Sequence, residues 1–156
     1  MKKLMSTIIL LIIILINTNA QGQNTKGKIY NNIENNKYRC VKEFTTIDNE
    51  TSQVIKKVIY LYNAEGILQG KTLYRWDNKQ GWIGTQKYEY EYNSEKLENL
   101  IYTEWDNNTT TWSAKAQHLI HIYNVEGELL AVKQIQVNND YRLIAKNELQ
   151  SFTYNK

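Results

Sequence analysis

A tyrosine-asparagine dipeptide recurs at 62–63, 92–93, 123–124 and 154–155, with spacings of 30, 31 and 31 residues, and Tyr30-Asn31 extends the series backwards. A fixed period of this size makes each copy one supersecondary unit that buries apolar surface against its neighbours. A second marker falls between the first ones: Asp48-Asn49, Trp76-Asp77-Asn78, Trp105-Asp106-Asn107 and the weaker Val137-Asn138-Asn139. Trp82 and Trp112 follow the two central markers, and Tyr141 takes the equivalent place in the last copy.

Each unit reads as strand, tight turn, strand, looser turn. In Tyr62-Asn63-Ala64-Glu65-Gly66 the asparagine can cap its own turn and Gly66 can supply a positive φ. Asn124 and Gly127 repeat this pattern, while Asn93-Ser94-Glu95-Lys96-Leu97 lacks the glycine and is one residue shorter. Tyr, Trp, Ile, Val and Thr fill the segments between turns, as strands prefer. Strands are expected near 37–47, 53–62, 67–76, 82–92, 97–105, 112–123, 128–137 and 141–154. The chain is therefore expected to be all-β. Its architecture should be an antiparallel meander of about eight strands built from ~30-residue repeats, curled or closed into a barrel-like or solenoid-like sheet.

Strict alternation then assigns faces. With Trp76 opposite Trp82, the same face receives Tyr74 with Gly84, Thr72 with Gln86, Gly70 with Tyr88 and Leu68 with Tyr90. Across the next turn it pairs Tyr92 with Leu97, Tyr88 with Ile101 and Gly84 with Trp105. The opposite face would carry Arg75, Lys71, Gln69, Lys87, Glu89 and Glu91, with Ile67, Leu73 and Ile83 as its apolar members. One face is thus expected to be aromatic and the other mostly charged. Trp82 and Tyr92 are ten apart but Trp112 and Tyr123 eleven apart, so a β-bulge is expected between Trp112 and Tyr123 to keep both rings on one face.

The first twenty residues form a different segment. Lys2 and Lys3 precede the apolar run Ile8–Ile16, and Thr18 and Ala20 place small residues at a cleavage site. This is the pattern of a secretory signal peptide, and nine apolar residues fall short of the ~20 that span a bilayer. Cleavage after Ala20 would leave residues 21–36 as a polar N-terminal segment, loose over 21–29, and 37–156 as the β-repeat domain, exported to the periplasm or beyond the cell without stable membrane insertion. Without Lys2 and Lys3, 17 basic residues face 16 acidic ones, a balance that excludes a nucleic-acid partner. Cys40 is the only cysteine and reads as a small buried hydrophobe, so packing alone must hold the fold.

Tyr60-Leu61-Tyr62-Asn63-Ala64-Glu65-Gly66-Ile67-Leu68 resembles the YD (Rhs-type) repeat Y-x-Y-D-x-x-G-R-L, with Asn63 for the aspartate and Ile67 for the arginine. His121-Ile122-Tyr123-Asn124-Val125-Glu126-Gly127-Glu128-Leu129 and Tyr90-Glu91-Tyr92-Asn93 keep part of it. The Trp-Asp-Asn marker and the longer period depart from that family. Signal peptide, short length and Trp-Asp strands together look closer to a group of small secreted bacterial proteins known only as a domain of unknown function. That resemblance covers 37–156 and implies an exported β-repeat protein, with no activity attached.

Chemistry-bearing residues are few. His118 and His121 lie three apart on one strand and point to opposite faces, so no metal site is expected. Glu89 and Glu91 share a face, but two carboxylates side by side on one strand read as a solvated pair rather than as residues facing across a cleft. Asp48, Asp77 and Asp106 recur at turns and read as turn caps. The Asn-x-Thr sequences at 49–51, 107–109 and 108–110 read as a by-product of Asn-rich turns. No nucleophile motif, phosphate loop or cofactor signature is present. The expected function is that of an exported, non-enzymatic protein that binds or assembles at the cell envelope, its partner a protein, a glycan or a second copy of itself. The alternative is a carrier of a small molecule or glycan that uses its aromatic face. Trp76, Trp82, Trp105 and Trp112 flank two equivalent turns and should cluster at one end of the sheet. They are the candidate binding residues, weighed against a role as the domain's core.

Overall fold

A computed structural model describes residues 27–138 and the backbone of 143–151. The leader at 1–20, Tyr141 and Tyr154-Asn155 lie outside the described residues. The nine strands are β1 (Gly27–Asn35), β2 (Arg39–Asp48), β3 (Val54–Asn63), β4 (Leu68–Asp77), β5 (Gly81–Asn93), β6 (Lys96–Asp106), β7 (Thr111–Tyr123), β8 (Leu129–Asn138) and β9 (Leu143–Ser151). They form one antiparallel sheet in sequence order, so the all-β meander is borne out.

The polar segment 21–36 holds a strand ahead of the first one expected: Gly27–Asn35, which begins inside the stretch 21–29 expected to be loose and which the Asn-rich composition conceals. It pairs along its whole length with β2, from Gly27 opposite Asp48 to Asn35 opposite Cys40. Asn36 makes the turn, its Oδ1 accepting the backbone N–H groups of Tyr38 at 2.9 Å and Arg39 at 3.0 Å. Contrary to expectation, the sheet does not close into a barrel, since β1 and β9 stand at its two edges.

The physical reason for the open sheet lies in the register. In β5, Tyr74 opposes Gly84 but Leu73 opposes Gln86, which leaves Thr85 as an extra residue. One inserted residue moves every later side chain to the other face. Lys71 therefore opposes Tyr88 and Gly70 opposes Glu89, and in β6 Tyr88 meets Tyr102 rather than Ile101. The expected single aromatic face is overturned. Alternation from these registers gives one face with Phe44, Tyr60, Tyr62, Tyr88, Tyr90, Tyr92, Tyr102 and Tyr123, and another with Tyr74 and all four tryptophans. Lys87, Glu89 and Glu91 share the tryptophan face, whereas Lys71 sits on the tyrosine face. With apolar side chains on both sides, no single face demands enclosure.

The side chains best protected from water are accordingly split. Ile83, Tyr88 and Leu100 lie on the tyrosine face, and Thr103, Ala131 and Val137 on the tryptophan face; among the described residues no large side chain is fully buried. Cohesion comes instead from cross-strand neighbours and from lysine stems laid over rings. Lys42 lies 4.7 Å from the Tyr62 centroid, and Lys71 lies 5.8 Å from Tyr60 and 5.6 Å from Tyr88. Partial burial holds the Lys71 ammonium below the usual lysine pKa. Cys40 is free and half-buried.

The turns are built alike at each end of the sheet. Asn63 Oδ1 accepts the Ile67 N–H at 2.8 Å and Asn124 Oδ1 the Glu128 N–H at 2.7 Å, with Gly66 and Gly127 at φ of 79° and 84°. The shorter turn after Asn93 places Ser94 and Glu95 at φ of 47° and 67°. Across these turns Tyr62 opposes Leu68, Tyr92 opposes Leu97 and Tyr123 opposes Leu129, and each pair is followed by a one-residue register shift. At the other end, Asp48, Asp77 and Asp106 each cap a loop whose fifth residue has positive φ: Ser52 (56°), Gly81 (80°) and Thr110 (53°). Asp77 Oδ1 accepts the N–H groups of Lys79 and Gln80 at 2.9 and 3.0 Å, and these bonds hold its carboxyl below the usual range. Bonds from Thr51 do the same for Asp48, and one from Asn108 for Asp106.

Candidate functional site

The tryptophan cluster is assembled by two Asp-capped turns and one glycine. Trp76 and Trp82 oppose each other across the Asp77 turn, with centroids 5.1 Å apart and planes at 76°. Trp105 and Trp112 oppose each other across the Asp106 turn, 5.3 Å apart at 88°. Gly84 lies between the pairs, and a Cβ there would stand 2.6 Å from Trp105 Cε3 and 2.9 Å from two Trp112 ring carbons. The two rings thus rest directly on backbone. Tyr74 closes the gap, its ring 6.4 Å from Trp112. The clustering at one end of the sheet is as expected. Enclosure as a core is not: Trp76 is 38% exposed and the other three are half-buried, because Tyr88 and its neighbours went to the far face at Thr85.

The strand is irregular between Trp112 and Tyr123, at Ser113–Lys115, but Thr103 opposes Ala116 and Trp105 opposes Trp112, so three residues lie against Glu104 alone. The single extra residue expected is replaced by two, which leave the alternation unchanged. The consequence differs from the expectation. Trp112 stays with the tryptophans and Tyr123 with the tyrosines, its hydroxyl donating to the Leu97 carbonyl at 2.8 Å.

Charged couples edge both tryptophan pairs; Lys87 and Glu89 were expected together but on the opposite face, and Lys57 with Glu43 was not expected at all. Lys57 Nζ lies 4.6 Å from the Trp82 centroid and 3.7 Å from Glu43 Oε2. Lys87 Nζ lies 5.9 Å from the Trp112 centroid and 2.9 Å from Glu89 Oε2. Trp76 Nε1 donates to Asn78 Oδ1 at 3.1 Å. The signal for Lys57 was its place opposite Tyr74, which becomes visible only when β3 is aligned with β4. For Lys87 it was the bulge. Exposed ring surface bordered by ammonium and carboxylate groups is suited to a ligand with both apolar patches and hydrogen-bonding groups.

The remaining candidates do not converge. Glu89 is engaged by Lys87, and Glu91 accepts Asn99 Nδ2 at 2.9 Å, both on exposed surface. Lys71, expected beside them, is on the opposite face. His118 Nδ1 lies 3.0 Å from Asn99 Nδ2, while His121 faces the other way, with Nδ1 3.1 Å from the Leu119 carbonyl; burial lowers the His121 pKa. Among the described residues no three His, Cys, Asp or Glu side chains group to hold a metal. Two open depressions, of about 330 and 310 Å³, lie around Lys96, His121 and Tyr123 and around Tyr102, Trp105 and Lys115.

A profile of the DUF3836 family, a family of unknown function, matches residues 1–123. The chain is similar to a crystal structure of a DUF3836 family protein from Parabacteroides distasonis, with a TM-score of 0.42 and 17% identity over 60% of this chain and 89% of that one. It is also similar to a crystal structure of a protein with unknown function from Bacteroides fragilis, with a TM-score of 0.48 and 15% identity over 84% of this chain and 96% of that one. No functionally curated protein matches it.

Proposed function

The chain belongs to the DUF3836 family, whose function is unknown, and from its own geometry we propose that it is an exported, non-enzymatic binding protein of the cell envelope. The tryptophan face is its ligand platform. One observation carries the reading: four tryptophans stand half-open on a sheet face, each pair edged by a lysine–carboxylate couple. A glycan fits this pattern best. Sugar C–H faces pack on indole rings, and hydroxyls bond to ammonium and carboxylate groups. The proposal of export rests on the charged start, apolar run and small residues of 1–20. We read the strand pairs as copies of one ~30-residue unit, supported by the matched Tyr-Leu pairs and Asp-capped loops.

Titrating the protein with envelope oligosaccharides while following tryptophan emission tests the platform. Trp76 is the most open of the four, so Trp76→Ala should weaken binding about tenfold or more, a typical loss for a truncated aromatic anchor, with little change in melting temperature. Equal affinity in wild type and variant would show that the tryptophan face is not the ligand platform.

A further inference from the structure

The strand β1 has properties that sheet edges normally avoid. It runs nine residues without proline, and its register with β2 is unbroken, whereas every other strand pair in the sheet contains a shift. Bulges, prolines and inward-pointing charges are the usual means of blocking an edge from pairing with another chain. Ile29, Tyr30 and Ile33 are 69%, 55% and 55% exposed. Among the described residues the outer edge of β1 therefore has no strand partner and offers a row of backbone donors and acceptors bordered by apolar side chains.

We propose that this edge pairs antiparallel with β1 of a second copy, about a two-fold axis through Asn31, to make one continuous sheet across a symmetric dimer. The sequence of the strand selects that register. With Asn31 opposite its own copy, Lys28 faces Glu34, Ile29 faces Ile33 and Tyr30 faces Asn32, each contact occurring twice. Neither Lys28 nor Glu34 has a charged partner among the described residues; Glu34 accepts only a 3.5 Å bond from Asn32 Nδ2. Paired residues in this register always differ by an even number, so outward-pointing backbone groups meet outward-pointing groups. The two-fold axis stands perpendicular to the sheet, so tryptophan face continues into tryptophan face. This edge pairing does not depend on what the tryptophans bind.

Sedimentation of the full chain at low salt tests it, because charge contacts across an exposed edge are screened as salt rises. The wild type should dimerise. Lys28→Glu sets two carboxylates against each other at both contacts and Glu34→Lys sets two ammonium groups together, so each should weaken the dimer about tenfold, while the double exchange should restore it. Both side chains are exposed, so circular dichroism should match wild type in all three variants. In a Cys40→Ser background, Asn31→Cys should form a disulfide-linked dimer on mild oxidation, since opposed strand residues fall within disulfide reach. A wild type that stays monomeric at about 0.1 mM, which corresponds to negligible affinity, would overturn the proposal. So would a dimer indifferent to both charge reversals, or open-ended growth of the kind a β1-to-β9 join would produce.

Discussion

Raising the pH through about 10 to 12 should unfold the sheet cooperatively. Six phenols of the tyrosine face, those of Tyr60, Tyr88, Tyr90, Tyr92, Tyr102 and Tyr123, have pKa values raised above the ordinary tyrosine value, chiefly by burial. Tyr90 is pushed up to about 12, and Tyr102, whose hydroxyl donates to Glu104 Oε1 at 2.7 Å, stands higher still. A phenol with a raised pKa keeps its proton in the folded chain at a pH where the unfolded chain has released it. Unfolding then releases protons, and stability present below the unfolded value near 10 is lost as pH rises through the folded one. Tyrosinate absorbance and far-UV circular dichroism should therefore change together in one alkaline transition. Tyr90→Phe should move that transition to higher pH, since it removes a phenol that opposes folding when ionised. Tyrosines that ionise gradually near 10 while the sheet persists above 12 would contradict the packing of this face.

Gly84→Ala should disrupt the tryptophan cluster by a single methyl group. The new Cβ would lie 2.6 Å from Trp105 and 2.9 Å from Trp112, and both neighbours are rigid ring atoms on opposed strands. Relief requires the two indoles to leave their edge-to-face packing. Overpacking of this kind costs about 1–3 kcal/mol, which corresponds to a melting temperature lower by several degrees. The near-UV dichroism of the tryptophan pair should weaken at the same time. Gly70→Ala is the control: its Cβ would meet Tyr88 O at 3.6 Å and Leu61 Cβ at 3.7 Å, ordinary contact distances. Equal stability of the two variants would show that Trp105 and Trp112 do not rest on Gly84.

Eight strands and both kinds of turn were legible in the chain because Tyr-Asn and Asp markers announce each reversal and alternation fills the segments between them. The tryptophan cluster was legible for the same reason, since its members flank the Asp77 and Asp106 turns. The faces were not. Gly84-Thr85-Gln86 carries no local mark of an inserted residue, yet that residue carries Tyr88, Tyr90 and Tyr92 away from Trp82. From this one shift follow the open sheet, the half-exposed tryptophans and the separation of Lys71 from Lys87. β1 was hidden by Asn31, Asn32 and Asn35, whose low strand preference conceals the apolar Ile29, Tyr30 and Ile33.

The tryptophans stand on an open sheet face rather than inside a closed barrel. Quenching of tryptophan emission by acrylamide in the native full-length protein tests it most directly. The geometry predicts that the emission is quenched in the native state, with Trp76→Phe removing the most accessible part of the signal. Emission that resists acrylamide until denaturant is added would instead place the rings in an enclosed core.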